Sequence, residues 1–216
     1  MTSDAEYFSN HDRRLKFPWS LYHRGLSRRM ASALGELPQA RPRVLVVGCG
    51  LEPFVPGAER PEYYGVDLDA NSVATCSERF PEMKTRLAAC PSPYELPRQG
   101  AFSVAFDAIV AKEVIEHLDD PERWVRTLAG ALAAGGELLL TTPNYGRWST
   151  LPLLEATLLE LVARRDGYSR KHLHPSRFDK RRFRELSIAP DVRLVGIETT
   201  RTGWALFGRW RKDAPA

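Results

Sequence analysis

Arg43-Val-Leu-Val-Val-Gly-Cys-Gly50 is an apolar, β-branched run closed by a Gly-x-Gly turn. Tyr63-Tyr-Gly-Val-Asp67 is a second such run and ends on an acid, 19 positions after Gly48. A short stretch apolar at every position, rather than at alternate ones, predicts a parallel strand buried on both faces. Glycine directly after such a strand lets the backbone turn sharply and approach a ligand closely. An acidic side chain at the end of the next strand can accept both hydroxyls of a ribose, a spacing shared by dinucleotide and adenosyl cofactor sites.

Outward from this pair, strands and helices alternate. A helix is predicted over Leu21–Leu34, and Pro38 and Pro42 interrupt the chain before the first strand. Asn71–Phe80 predicts a helix after the second strand, and Cys90–Pro97 a proline-rich loop. Phe106–Ala111 predicts a further strand, then a helix over Pro121–Leu132 stopped by Gly135-Gly136, then a strand over Glu137–Thr142. Leu151–Arg165 and Lys180–Leu186 have helical spacing, and Val192–Thr199 with Trp204–Trp210 predicts a closing hairpin. The expected fold is α/β: a Rossmann-like doubly wound sheet, mostly parallel, with an antiparallel C-terminal strand. Ligands of such sheets bind outside the carboxyl ends of the strands.

The 216 residues predict a single domain: an N-terminal helical lid segment (1–40), a cofactor-binding core (41–145), and acceptor-side helices with the last strands (146–216). No apolar run approaches the roughly 20 residues of a membrane span. The charged N-terminal stretch predicts no secretory leader, so cytoplasmic localisation is expected. Cys49, Cys76 and Cys90 are odd in number and lack CxxC spacing, which excludes a zinc cluster of that type and a disulfide framework. The net charge is +4, with much of the basic excess late in the chain, from Arg164 to Lys212. Such a run follows phosphates or simply solvates a face.

Four segments occur in order: Val44-Leu-Val-Val-Gly-Cys-Gly50, Tyr64-Gly-Val-Asp-Leu-Asp69, Phe106-Asp-Ala-Ile-Val-Ala-Lys-Glu-Val-Ile-Glu-His-Leu118 and Gly135-Gly-Glu-Leu-Leu-Leu-Thr-Thr-Pro-Asn144. Together they resemble the successive motifs of class I S-adenosylmethionine-dependent methyltransferases. The resemblance implies that Gly48, Cys49 and Gly50 pass the methionine part of S-adenosylmethionine and that Asp67 holds its ribose. It implies further that Leu68 lines the adenine pocket and that Ala111 and Lys112 border the sulfonium. The chain departs from the family pattern in three places. Val46 stands where an acid is usual, Glu52 replaces the third glycine, and Cys90-Pro-Ser-Pro93 occupies the usual place of an adenine-binding acid. Glu52 is then available for the cofactor's ammonium group, and Ser92 is the polar side chain left near the adenine.

Glu113, Glu116 and His117 stand at i, i+3 and i+4, so a helix there would gather them on one face. Two carboxylates and an imidazole can ligate a divalent cation such as Mg²⁺. Without metal, His117 is the candidate catalytic base for an acceptor hydroxyl. Alternatively the two acids only favour a helix start. Glu-x-x-Glu-His followed by Thr142-Pro-Asn-Tyr145 also resembles motifs of quinone-biosynthesis O-methyltransferases and of small-RNA 2′-O-methyltransferases. The latter resemblance implies a further histidine ligand downstream, at His172 or His174. After the fourth strand the chain reads Ala111-Lys-Glu-Val114, unlike the Asn-Pro-Pro-Tyr of amino-methylating nucleic-acid enzymes. The expected partner is therefore a small-molecule acceptor, with RNA as the alternative and a non-catalytic adenosylmethionine-binding module as the third reading. Phe17–His23, Tyr145, Trp148 and Leu151–Val162 are the candidate walls of the acceptor pocket.

Overall fold

Val44 to Val47 are all buried, with Leu45 and Val47 in one apolar cluster and Val44 and Val46 in another. That division on opposite faces is why this strand carries no polar position. The computed structural model describes residues 19–154, 157 and 174–214. Its single sheet has seven strands: β1 (Arg43–Val47), β2 (Glu62–Asp67), β3 (Leu87–Ala89), β4 (Phe106–Lys112), β5 (Leu132–Pro143), β6 (Val192–Thr199) and β7 (Ala205–Lys212). The order is β3-β2-β1-β4-β5-β7-β6. Strands β1 to β5 run parallel, and β7 lies antiparallel between β5 and β6. The strand order reverses between β1 and β4, so the crevice beyond Val47 and Lys112 is where such a sheet receives a ligand.

Helices cover both faces. Helix α1 (Trp19–Gly35) buries Leu26, Met30, Ala33 and Leu34, one stripe at helical spacing. It shares its face with α2 (Ala70–Arg79), whose start is capped by the Asp69 carboxylate accepting the Asn71 and Ser72 amides. The other face takes α3 (Pro121–Ala131), capped by Asp120 with proline in its first turn, which buries Trp124, Val125 and Leu128. Two short helices follow, α4 (Leu151–Leu154) and α5 (Lys180–Arg184). Among the described residues no helix is long and apolar enough to cross a membrane. The rest of the Leu151–Arg165 helix expected from spacing lies outside the described residues, apart from Thr157.

In the sheet the chain departs from expectation at one glycine pair. Gly135-Gly136 does not stop a helix: α3 ends at Ala131 and β5 starts at Leu132, so both glycines lie inside the strand. Pairing with β4 jumps from Phe106–Leu132 to Ala108–Glu137, leaving 133–136 as a bulge in which Gly135 takes φ +73°. A Cβ on Gly136 would stand 2.9 Å from the Phe106 carbonyl oxygen. No helix joins β1 to β2. Residues 48–61 form irregular turns, as Pro53, Pro56 and Pro61 with Gly57 require.

The Glu137 carboxylate ties three elements together. It is 1% exposed and accepts from Arg209 (2.6 and 2.9 Å) and Arg211 (2.6 and 3.0 Å) across the β5–β7 pair. Arg209 also pairs with Glu36, just past α1. Its guanidinium is held above its ordinary pKa, chiefly by the hydrogen bond to Glu137. Glu137→Ala would leave the Arg209 charge, only 16% exposed, without its main counter-ion. The expected loss is about 3 kcal/mol, near the lower end for breaking a buried pair because Arg211 is partly solvated. Urea unfolding would measure it, and a loss below about 1 kcal/mol would refute the clamp.

Candidate functional site

The glycine turn grows out of β1 with its backbone already engaged. The Gly48 and Cys49 amides both donate to the Val66 carbonyl, at 2.9 and 3.1 Å. Gly50 donates its amide to Asp67 Oδ2 at 2.7 Å, and Asp69 donates its amide to Oδ1 at 3.0 Å. Gly48 and Gly50 take φ +68° and +50°, a region that favours glycine. A Cβ on Gly48 would lie 2.6 Å from Val114 Cγ2, so this turn passes directly against the segment after β4. Leu68, next to Asp67, is 56% exposed, an apolar side chain open to a flat ligand. The Cys90 amide donates to the Asp67 carbonyl and brings the proline-rich loop to the same end of β2. Ser92 there accepts the Tyr94 amide in a turn of its own.

A cleft open to solvent lies between this turn and α1. Ser27 and Met30 of α1 form one wall of this cleft. Val46, Cys49, Glu52 and Lys112 line it as well. Phe17 and Pro18 of the expected lid lie outside the described residues.

Ala111 is buried at the end of β4, and Lys112 is its half-buried last residue. Glu113 then turns the chain with φ +58°, its amide donating to the Thr141 carbonyl and Oγ1 at 3.3 and 3.1 Å. This backbone precludes the helix that would have gathered Glu113, Glu116 and His117. Instead Ile115–His117 forms one tight 3-10 turn. The group that the structure does assemble is Glu116, His117 and His174, whose ligand atoms lie within 4.8 Å of one another. Glu113 lies outside it.

His174 arrives through Ser176. The Ser176 amide donates to the Glu116 carbonyl at 3.1 Å, and its hydroxyl donates to the Leu118 carbonyl at 2.8 Å. The His117 and His174 rings meet edge to face with centroids 5.0 Å apart. Tyr145 sits after β5, where its amide donates to the Phe178 carbonyl, and its hydroxyl contacts His174 Nδ1 at 2.5 Å. The carboxylate, two imidazoles and phenol thus form one polar cluster beside the end of β4. Sequence reasoning named His174 only as one of two alternatives and Tyr145 only as a wall. His172 lies outside the described residues. Trp148 is 86% exposed, with the Arg147 guanidinium 4.5 Å from its ring centre.

All three cysteines are free and buried. Burial pushes the Cys49 thiol well up, with the Asp67 carboxylate adding to the effect. The same two causes, in the same order, raise Cys90 to about 11. Burial also raises Cys76. No thiolate nucleophile is therefore present at neutral pH.

A family model described as a methyltransferase domain matches residues 19–187. A ubiquinone biosynthesis O-methyltransferase from Caulobacter sp. is 30% identical over 113 residues, 51% of this chain and 44% of that protein. A probable S-adenosylmethionine-dependent methyltransferase from Mycobacterium tuberculosis is 37% identical over 82 residues, 37% of this chain and 27% of that protein. These matches thus span less than half the length of either relative. Among solved structures, N-methyltransferase NodS from Bradyrhizobium japonicum in complex with S-adenosyl-L-homocysteine superposes with a TM-score of 0.60. It shares 17% identity, with 97% of this chain and 96% of that one covered.

Two measurements follow from this geometry. Asp67→Ala removes the brace of the turn and the side chain expected to hold the ribose, so affinity for S-adenosylhomocysteine should fall about a hundredfold. Near-native affinity by calorimetry would refute the assignment. At neutral pH iodoacetamide should label none of the three thiols in the native protein and all of them in denaturant; rapid native labelling would contradict their burial.

Proposed function

The chain belongs to the methyltransferase-domain family of S-adenosylmethionine-dependent enzymes, and we propose that it methylates a hydroxyl oxygen of a small-molecule acceptor. In this reading Gly48, Cys49 and Gly50 pass the methionine part of the cofactor, Asp67 holds the ribose and Leu68 lies against the adenine. Ala111 and Lys112 border the sulfonium. The observation that carries the acceptor half is the cluster of Glu116, His117 and His174 beside the end of β4. Transfer to oxygen needs in-line placement of the acceptor and removal of one proton. His117 takes that proton, and His174, held at Nδ1 by Tyr145, fixes the neighbouring ring. The matched Caulobacter O-methyltransferase supports oxygen as the acceptor atom.

The same donors fit a divalent cation. One carboxylate and two imidazoles suit a transition ion better than Mg²⁺, which prefers oxygen ligands. Such an ion would lower the pKa of an acceptor hydroxyl. Glu113, outside the cluster, is not part of this proposed ligand set.

Part of the basic run favours the small molecule over RNA. Arg209 and Arg211 are engaged by Glu137, and Lys212 donates to the Ala129 and Leu132 carbonyls, so these charges serve the fold. The exposed remainder includes Arg177, Arg181 and Arg184.

Labelled S-adenosylmethionine offered with a panel of phenolic acceptors, a metabolite extract and total RNA tests the reading. Label is expected in the first two pools. Labelling of RNA alone would favour the 2′-O-methyltransferase alternative, and tight cofactor binding with no transfer would favour a binding module. His117→Ala should lower turnover about a hundredfold with S-adenosylhomocysteine affinity unchanged. Full activity in that variant would remove the residue from the mechanism. Activity lost to a chelator and restored by one divalent ion would assign the cluster to metal; indifference to chelation would assign it to proton removal.

A further inference from the structure

The stretch that brings in His174 also gathers like charges. After Ser176 it reads Arg177-Phe-Asp-Lys-Arg-Arg-Phe-Arg184, five cations against the single acid Asp179. Other arginines of the late basic run are paired: Arg181 with Glu185, Arg193 with Asp213, and Arg209 and Arg211 with Glu137. Among the described residues the Arg177 and Arg182 guanidiniums have no carboxylate partner, since Asp179 between them accepts the Arg182 amide as the cap of α5. They meet rings and a carbonyl instead. Arg177 stands 5.3 Å from the centre of Tyr145 and Arg182 4.7 Å from that of Phe178, while Arg182 donates to the Arg177 carbonyl at 2.7 Å. Two cations held this close repel, and an anion between them removes the repulsion.

The ring that Arg177 faces belongs to the acceptor cluster. Tyr145 meets His174 through its hydroxyl, with ring centres 6.1 Å apart, and the His174 ring meets His117 at 5.0 Å. His117, His174 and Tyr145 are half-buried and Arg177 is exposed, so the series opens to solvent. A guanidinium resting on a ring keeps N–H donors in its own plane, in the fork that fits a carboxylate or phosphate. Asn144 pairs with Phe178 and lays the next turn alongside, where exposed Arg147 adds a further cation against Trp148.

We infer that Arg177, with Arg182 beside it, binds an anionic group, carboxylate or phosphate, on the small molecule whose hydroxyl is methylated at His117. The inference rests on the O-methyltransferase reading and names the substrate class within it. The anion is not a reactant. The methyl group passes from the sulfonium to the hydroxyl oxygen, leaving S-adenosylhomocysteine, and His117 takes the hydroxyl proton. The charge at the Arg177 end is the same in substrate and product.

A metabolite extract freed of macromolecules, incubated with the full chain and labelled S-adenosylmethionine, tests the inference. Labelled product is expected to bind an anion exchanger at neutral pH and to elute with salt. Phosphatase then separates the two sources: label released from the resin marks a phosphate, and label still retained marks a carboxylate. Arg177→Gln should lower labelling of the retained product about tenfold or more in dilute extract, the scale of a charge-assisted hydrogen bond, with S-adenosylhomocysteine affinity unchanged. Arg184→Gln, which removes the same charge from another exposed position of α5, should label as the wild type does. Wild-type product that passes through the exchanger overturns the inference and leaves the O-methyltransferase reading intact, without any variant having to fold. Full labelling by Arg177→Gln, or an equal loss in Arg184→Gln, overturns it as well. Wild-type protein that binds S-adenosylhomocysteine but labels nothing in the extract overturns the small-molecule reading itself.

Discussion

The hydrogen bond from the Gly50 amide to Asp67 is the contact on which the shape of the glycine turn depends. At 2.7 Å it joins the turn after β1 to the end of β2, and the other carboxylate oxygen accepts the amide of Asp69. Asp69 in turn caps α2, so one short run of chain sets the turn, the strand end and the helix start. A carboxylate that accepts two amides is held in one orientation. The orientation of Asp67 is therefore fixed before any ligand arrives. The neighbouring thiols register the same charge, since Asp67 contributes to the raised pKa of Cys49, Cys76 and Cys90.

The central strands were readable because their chemistry is local. A strand buried on both faces must be apolar throughout, and β1 and β4 obey that rule over adjacent residues. Asp67 was readable for a related reason: a charged side chain ends an apolar run where the strand leaves the sheet. The misreading of Gly135-Gly136 has an equally physical origin. Glycine ends helices and permits bulges by the same freedom at positive φ, and only the pairing partner decides between them. In this chain that partner is Phe106, far away in sequence.

The acceptor cluster was half legible. Glu116 and His117 are neighbours, and their chemistry could be read directly. The spacing argument for Glu113 failed because its amide is drawn across to Thr141 on β5, which forces the chain through a left-handed step. His174 was reached only as one of two alternatives, through a resemblance, because two hydrogen bonds made by Ser176 bring it in. No periodicity reports a contact of that kind. The late arginines teach the converse lesson: a run that reads as one basic surface is divided by the fold. Glu137, a strand residue with no counterpart in the pattern, takes two of them inside.

The Ser176 tether has an implication for how this protein changes over time. The cofactor side is built from strand ends whose positions the sheet fixes collectively. His174, by contrast, rides on a stretch of chain held to the turn after β4 by Ser176 and to Tyr145 beyond β5. Exchanges within that stretch can reshape the cluster of Glu116, His117 and His174 while every hydrogen bond around Asp67 stays in place. If the proposed reading holds, methyl-donor binding and acceptor choice are therefore carried by separate parts of the chain.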